Sequence, residues 1–298
     1  MNRQLDLLEA PSNLGLRPPS PGVEPGTRRA PLALRAAGLN DLLKPSRIVR
    51  IEAPAYEADE LRVVNIRNLT PIAHYARSLA AEISKSVRSG SFPLVIGGDC
   101  SILLGAALAL KRLGTYGLLF IDGHTDFFLP EQSATGGAAG MDLALATGWG
   151  PPALTNMDTL APYFDIRNVL LLGNRDLEPR CSASIPTAAE SGADYWDLAR
   201  LRRAGTVSAA SVRLHALAAR VPFWVHLDVD ALDDRIMPAV DSRQADGLSW
   251  AEIAGIVHAA FETGRAVGME ITIFDPDLDA DGAIASTLAR HIATWFRA

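Results

Sequence analysis

The chain has 298 residues, of which 48% are hydrophobic and 21% charged, a balance that supports a large core and excludes wholesale disorder. Lys and Arg number 28 against 34 Asp and Glu, a formal net charge of −6, so the basic face that nucleic-acid phosphates require is missing. No apolar run approaches the ~18 residues of a membrane span, and two cysteines make no disulfide scaffold. The expectation is a soluble, cytoplasmic globular protein whose partner is a small molecule rather than nucleic acid or a membrane.

An apolar run over residues 5–8 reads as an opening strand. A loop rich in Pro and Gly follows, then a helix over 31–38 with Pro31 in its first turn and Gly38 past its end. A disordered arm is the alternative for this stretch. Residues 47–51 suggest a short strand. Helical spacing covers 73–87, with Ile72, Ala76, Leu79, Ile83 and Val87 on one face and Gly90 as a stop. Residues 92–96, 117–121, 169–172, 223–227 and 266–271 are short apolar runs, and helical segments fall at 102–113, 208–219, 249–262 and 284–296. Strands apolar on both faces and separated by helices indicate a parallel sheet covered on both sides. One open α/β sheet accounts for residues 1–298 as a single domain. The least regular stretch, 127–168, predicts site-lining loops and short helices.

The chemistry sits just past these strands. The run 118–121 leads into Asp122-Gly123-His124-Thr125-Asp126, and Trp224-Val225-His226-Leu227 leads into Asp228-Val229-Asp230. Spacing by two in an extended chain aims each set of side chains to one side, and ligands of open α/β sheets bind at these strand ends. Four converging carboxylates repel one another unless cations intervene. Four Asp and a neutral His suit two divalent ions bridged by shared carboxylates. The bland reading is that these residues cap turns and helices. A third segment, Gly97-Gly98-Asp99-Cys100-Ser101, also joins a strand to a helix. Asp99 or Ser101 can cap that helix, while Cys100 is either a ligand or a small buried hydrophobe.

Together these segments, with Ala10-Pro11-Ser12-Asn13-Leu14-Gly15 before them and residues 268–276 after, resemble the ureohydrolase family of arginases, agmatinases and formimidoylglutamases. The resemblance implies a three-layer α/β/α domain around a mainly parallel sheet of about eight strands, assembled as a homo-oligomer (trimer or hexamer). It also implies a binuclear manganese centre whose bridging hydroxide attacks a guanidinium or amidine carbon. Carried over by position, Asp122 and Asp228 bridge both metals, and His124 and Asp230 serve one. Asp126 ligates the other and acts catalytically by positioning the hydroxide. Cys100 stands where the family usually has a histidine ligand. A thiolate there adds negative charge and shifts preference from manganese toward zinc, iron or cobalt.

Two further departures concern the substrate. Ala139 occupies the place of an arginase histidine used in acid–base work, and Ile273 the place of a glutamate that holds the guanidinium. Glu270 lies on the opposite face of its strand from Ile273, by alternation; it either supports a ligand or is a satisfied buried carboxylate. The expectation is a metal-dependent hydrolase of linear, non-peptide C–N bonds that is not an efficient arginase. The alternative is an inactive metal-binding or partner subunit of the same fold. Elsewhere, His226 either braces a ligand or belongs to the core, and Arg175 either meets an anionic substrate or makes a surface salt bridge. His74, His215, His258 and His291 are read as packed or exposed imidazoles, and Cys181 carries no assigned role.

Overall fold

The computed structural model describes residues 3–57, 64–176 and 186–297; Cys181 lies outside them. Its first half runs β1 (Leu5–Ala10), α1 (Ala30–Ala36), α2 (Leu39–Leu43), β2 (Arg47–Arg50), α3 (Leu69–Arg88), β3 (Phe92–Gly97), α4 (Leu103–Leu113) and β4 (Gly117–Ile121). Short helices α5 (Asp142–Ala146) and α6 (Pro152–Thr155) follow within the irregular stretch. The second half runs β5 (Val169–Leu172), β6 (Asp194–Trp196), α7 (Leu198–Arg203), α8 (Thr206–Ala218), β7 (Phe223–Asp228), α9 (Trp250–Glu262), β8 (Ala266–Thr272) and α10 (Ala283–Trp295).

All eight strands form one sheet in the order β2-β1-β3-β8-β7-β4-β5-β6, and every pairing is parallel. Helices cover both faces because both faces are apolar. In β4, Leu119 and Ile121 pack with residues of α1, α2 and α7–α10, while Leu118 and Phe120 pack with residues of α3–α6. Burial on both sides explains why these strands read as unbroken apolar runs. The opening stretch is no disordered arm: β1 lies between β2 and β3 and hydrogen-bonds both. Strand β6 has no counterpart in the sequence reading, because its three residues are half-buried at the sheet edge and lack an apolar run. Among the described residues no helix is long and apolar enough to cross a membrane.

This order puts β3, β8, β7 and β4 side by side, so the segments leaving their carboxyl ends share one patch. Close approach is built into it at Gly98, where a Cβ would overlap the Ser12 carbonyl. Gly98→Ala is therefore expected to destabilise the protein by at least ~1–3 kcal/mol, the usual cost of overpacking. Chemical denaturation checks this, and an unchanged midpoint would contradict it.

Candidate metal centre

Four neighbouring strands each deliver a group to the same spot. Cys100 follows β3 on a short helical turn capped by Asp99, whose side chain accepts from the Ser101 N–H at 2.9 Å and the Ser12 hydroxyl at 2.6 Å. Asp122 follows β4, Asp228 ends β7 and Thr272 ends β8. The Cys100 thiol donates to Asp228 Oδ2 at 2.9 Å and lies 3.1 Å from Thr272 Oγ1. Cys100 is thus turned into the acidic cluster.

The two Asp segments interlock. Asp230 Oδ1 accepts from the Gly123 N–H at 3.1 Å, and Asp230 Oδ2 lies 2.9 Å from His124 Nδ1. Asp122 Oδ1 accepts from the His124 N–H at 2.6 Å, and Asp228 Oδ1 from the Asp230 N–H at 2.7 Å. Ser242 Oγ and Gln244 Nε2 lie 3.1 and 2.8 Å from His124 Nε2, which leaves Nδ1 facing the carboxylates. Simple alternation does not produce this arrangement. Asp126 has a φ of +45°, and Asp230 sits in a tight turn over Val229–Ala231 that Asp228 caps. Backbone turns bring both acids round.

Two sets of donors result, each with one atom per residue and all atoms within 4.8 Å: Cys100, Asp122 and Asp228, and Asp122, His124 and Asp230. Asp126 belongs to neither set but lines the same cavity. Asp122 belongs to both, is fully buried, and has an Oδ2 without a hydrogen-bond partner among the described residues. A buried carboxylate oxygen without a partner is costly unless paired or metal-bound, so the donors fit divalent cations.

Charge crowding gives the same reading. Burial, then Asp230, pushes the Asp122 carboxyl up to about 6. Burial and acidic neighbours raise Asp126 and Asp228 well above the carboxylate range. Burial and then Asp228 push the Cys100 thiol up. Burial opposes a charge on His124, but Asp230 and Asp122 outweigh it and raise its pKa. For Asp230 burial is likewise outweighed, and His124 holds the carboxyl low.

In metal-free protein, folding therefore favours protonated Asp122. Its contribution to stability is complete below pH ~4 and falls as pH rises through about 6. At ~1.4 kcal/mol per pKa unit this amounts to ~3 kcal/mol, and Asp126 and Asp228 extend the fall to higher pH. The lowered Asp230 has the opposite sign, and its gain is complete near pH ~4. Thermal midpoints of chelator-treated protein should therefore drop between pH ~4 and ~8, and divalent metal should reverse the drop. A flat profile would contradict the crowding.

Above the cluster opens a cavity of about 370 Å³ whose walls include Arg17, Cys100, His124, Asp126, Ala139, Asp228, Asp230, Asp241 and Ile273. Ile273 is buried at a φ of +73°, an uncommon and strained conformation for a β-branched residue. Glu270 does not stand in for it, since it faces His226, and Glu190, the other glutamate considered for this place, accepts from the N–H and hydroxyl of Thr187. Arg175 makes no salt bridge among the described residues. It donates to the carbonyls of Asp230, Leu232, Gln244 and Ala245 and so ties together the loop behind the site.

Sequence reasoning missed Asp142 and Asp241. Asp142 is fully buried at the start of α5 beside Cys100, and Asp241 reaches the cavity from an irregular loop. Neither lies in a repeated spacing, and a lone Asp at a helix start reads as a cap.

A parallel α/β sheet with acidic donors at its carboxyl edge and an open cavity above them is the setting of a divalent-metal centre open to a small molecule. A sequence model of the arginase family matches residues 20–296. The arginase of Staphylococcus aureus strain COL is 29% identical, over 99% of this chain and 97% of that one. The arginase of Bacillus subtilis strain 168 is 27% identical, over 94% and 93%. The native Bacillus caldovelox arginase structure superposes with a TM-score of 0.88 at 26% identity, covering 99% of this chain and 98% of that one.

The chain belongs to the arginase family. It falls in that family's class of metal-dependent hydrolases acting on C–N bonds of guanidino compounds and related linear amidines, and the inactive-subunit alternative is not favoured.

Proposed function

We propose that this chain hydrolyses a C–N bond in a small molecule whose scissile group is neutral or weakly basic, such as a ureido, N-hydroxyguanidino or amide group, rather than arginine or agmatine. The carrying observation is the cavity wall, where Ile273 and Ala139 offer apolar surface. Outside the donor cluster the wall carries Arg17 and Asp241, one charge of each sign, which suits a substrate with both a carboxylate and an ammonium group.

Cys100, Asp122, His124, Asp126, Asp228 and Asp230 are the residues we assign to holding two divalent cations. Bound there, the cations supply Lewis-acid polarisation and a more acidic water. Thiolate character at Cys100 favours zinc, iron or cobalt over manganese. Asp126 faces the cavity, where its carboxylate can position the attacking water and accept the proton that water loses. It is placed to pass that proton to a leaving amine. We take the working form to be a cytoplasmic homo-oligomer.

The test is turnover of metal-loaded protein on a panel of guanidino, N-hydroxyguanidino, ureido and amide compounds, each with manganese, zinc, iron and cobalt. Turnover on a neutral or weakly basic member supports the assignment. Activity confined to arginine or agmatine overturns it.

A further inference from the structure

Behind the cavity wall Cys100 joins a third group of donors. One atom each from Cys100, Asp142 and His226 lie within 4.8 Å of one another, and all three residues are fully buried. Neither oxygen of Asp142 has a hydrogen-bond partner among the described residues, and neither does Nε2 of His226. Asp142 is not spent as a helix cap, since the cap position of α5 belongs to Met141. The imidazole is set from behind. Glu270 pairs with His226 across β7 and β8, and its Oε1 lies 2.8 Å from Nδ1. Phe120 stacks on the ring at 4.5 Å and 8°. With Nδ1 engaged by a carboxylate, Nε2 is left as the free donor, the arrangement that orients histidine ligands in metal sites.

We propose that Cys100, Asp142 and His226 form a zinc-type site of their own, adjoining the acidic cluster through Cys100. A thiolate and a carboxylate neutralise a divalent ion, and the neutral imidazole adds no charge, so the loaded site is uncharged where there is no solvent. Sulfur, nitrogen and oxygen at three vertices of a tetrahedron are a zinc donor set, and the sulfur and imidazole select against manganese. The site does not depend on the hydrolase reading, because its donors can bind metal whether or not the chain turns over a substrate.

The donor chemistry supplies the test. Cys100, Asp122 and Asp228 offer sulfur without imidazole, and Asp122, His124 and Asp230 offer imidazole without sulfur. Only the proposed site offers both. The His124→Ala protein, stripped with chelator and given one equivalent of zinc, should show sulfur at about 2.3 Å together with imidazole nitrogen at about 2.0–2.1 Å by X-ray absorption. Adding Asp142→Asn should weaken zinc binding at least tenfold. Sulfur with oxygens alone would put the ion among Cys100, Asp122 and Asp228 and overturn the proposal, as would nitrogen without sulfur. If His124→Ala does not fold, His226→Ser in the otherwise native chain gives the second reading. Loss of one zinc equivalent supports the site, and an unchanged zinc count and absorption spectrum refutes it.

Discussion

Asp122→Asn is expected to lower turnover by at least ~10³-fold, about 4 kcal/mol of transition-state stabilisation at ~1.4 kcal/mol per tenfold. Asp122 is the one residue common to both acidic donor sets, and its Oδ2 has no hydrogen-bond partner among the described residues, so it would be available to a bound cation. An amide at that place keeps the volume but removes the charge and points N–H groups at the ion. Stability should move the other way. Metal-free Asp122→Asn should be at least as stable as the parent above pH ~6, because the variant no longer ionises a group whose folded pKa is pushed up to about 6. Turnover and thermal melts of the two proteins check both effects, and elemental analysis should show less bound metal in the variant. Retained metal with retained turnover would show that Asp122 is not a ligand.

Metal-loaded protein should turn over L-arginine or agmatine at least ~10³-fold below the ~10–10³ per second of ordinary enzymes. Two independent deficits combine. A guanidinium set beside two cations without a compensating carboxylate is a buried unpaired charge, a cost of several kcal/mol, and Ile273 leaves it uncompensated. Ala139, on the same cavity wall, cannot carry a proton, a service of the kind worth ~10²–10⁴-fold. Ile273→Glu should tighten arginine binding and also relieve a β-branched side chain from a φ of +73°. Arginine turnover in the ordinary range by the unaltered protein would refute the account of its specificity.

The Asp122 and Asp228 segments were legible because each follows an abrupt change from apolar strand to acidic loop, and parallel sheets put such junctions at one edge. Their internal geometry was not legible. Alternation describes extended chain, whereas Asp126 lies at positive φ and Asp230 in a tight turn. The burial of Glu270 against His226 needed the register of β7 on β8, a long-range pairing that spacing within one strand does not carry. Asp142 and Asp241 stayed hidden because irregular segments have no period. The three-residue β6 was missed for want of an apolar run. Helix ends shifted by a few residues, as in α3, which begins at Leu69 where spacing placed the start at residue 73.

Manganese content set against turnover tests the central claim most directly. Chelator-stripped protein, dialysed against increasing manganese and analysed for metal per chain, should be inactive at zero and gain activity as it fills toward two equivalents. Manganese serves here because the four Asp carboxylates of the acidic cluster suit it better than the sulfur, imidazole and single carboxylate of the Cys100, Asp142 and His226 group. Full turnover in protein from which all divalent metal has been removed would contradict the account.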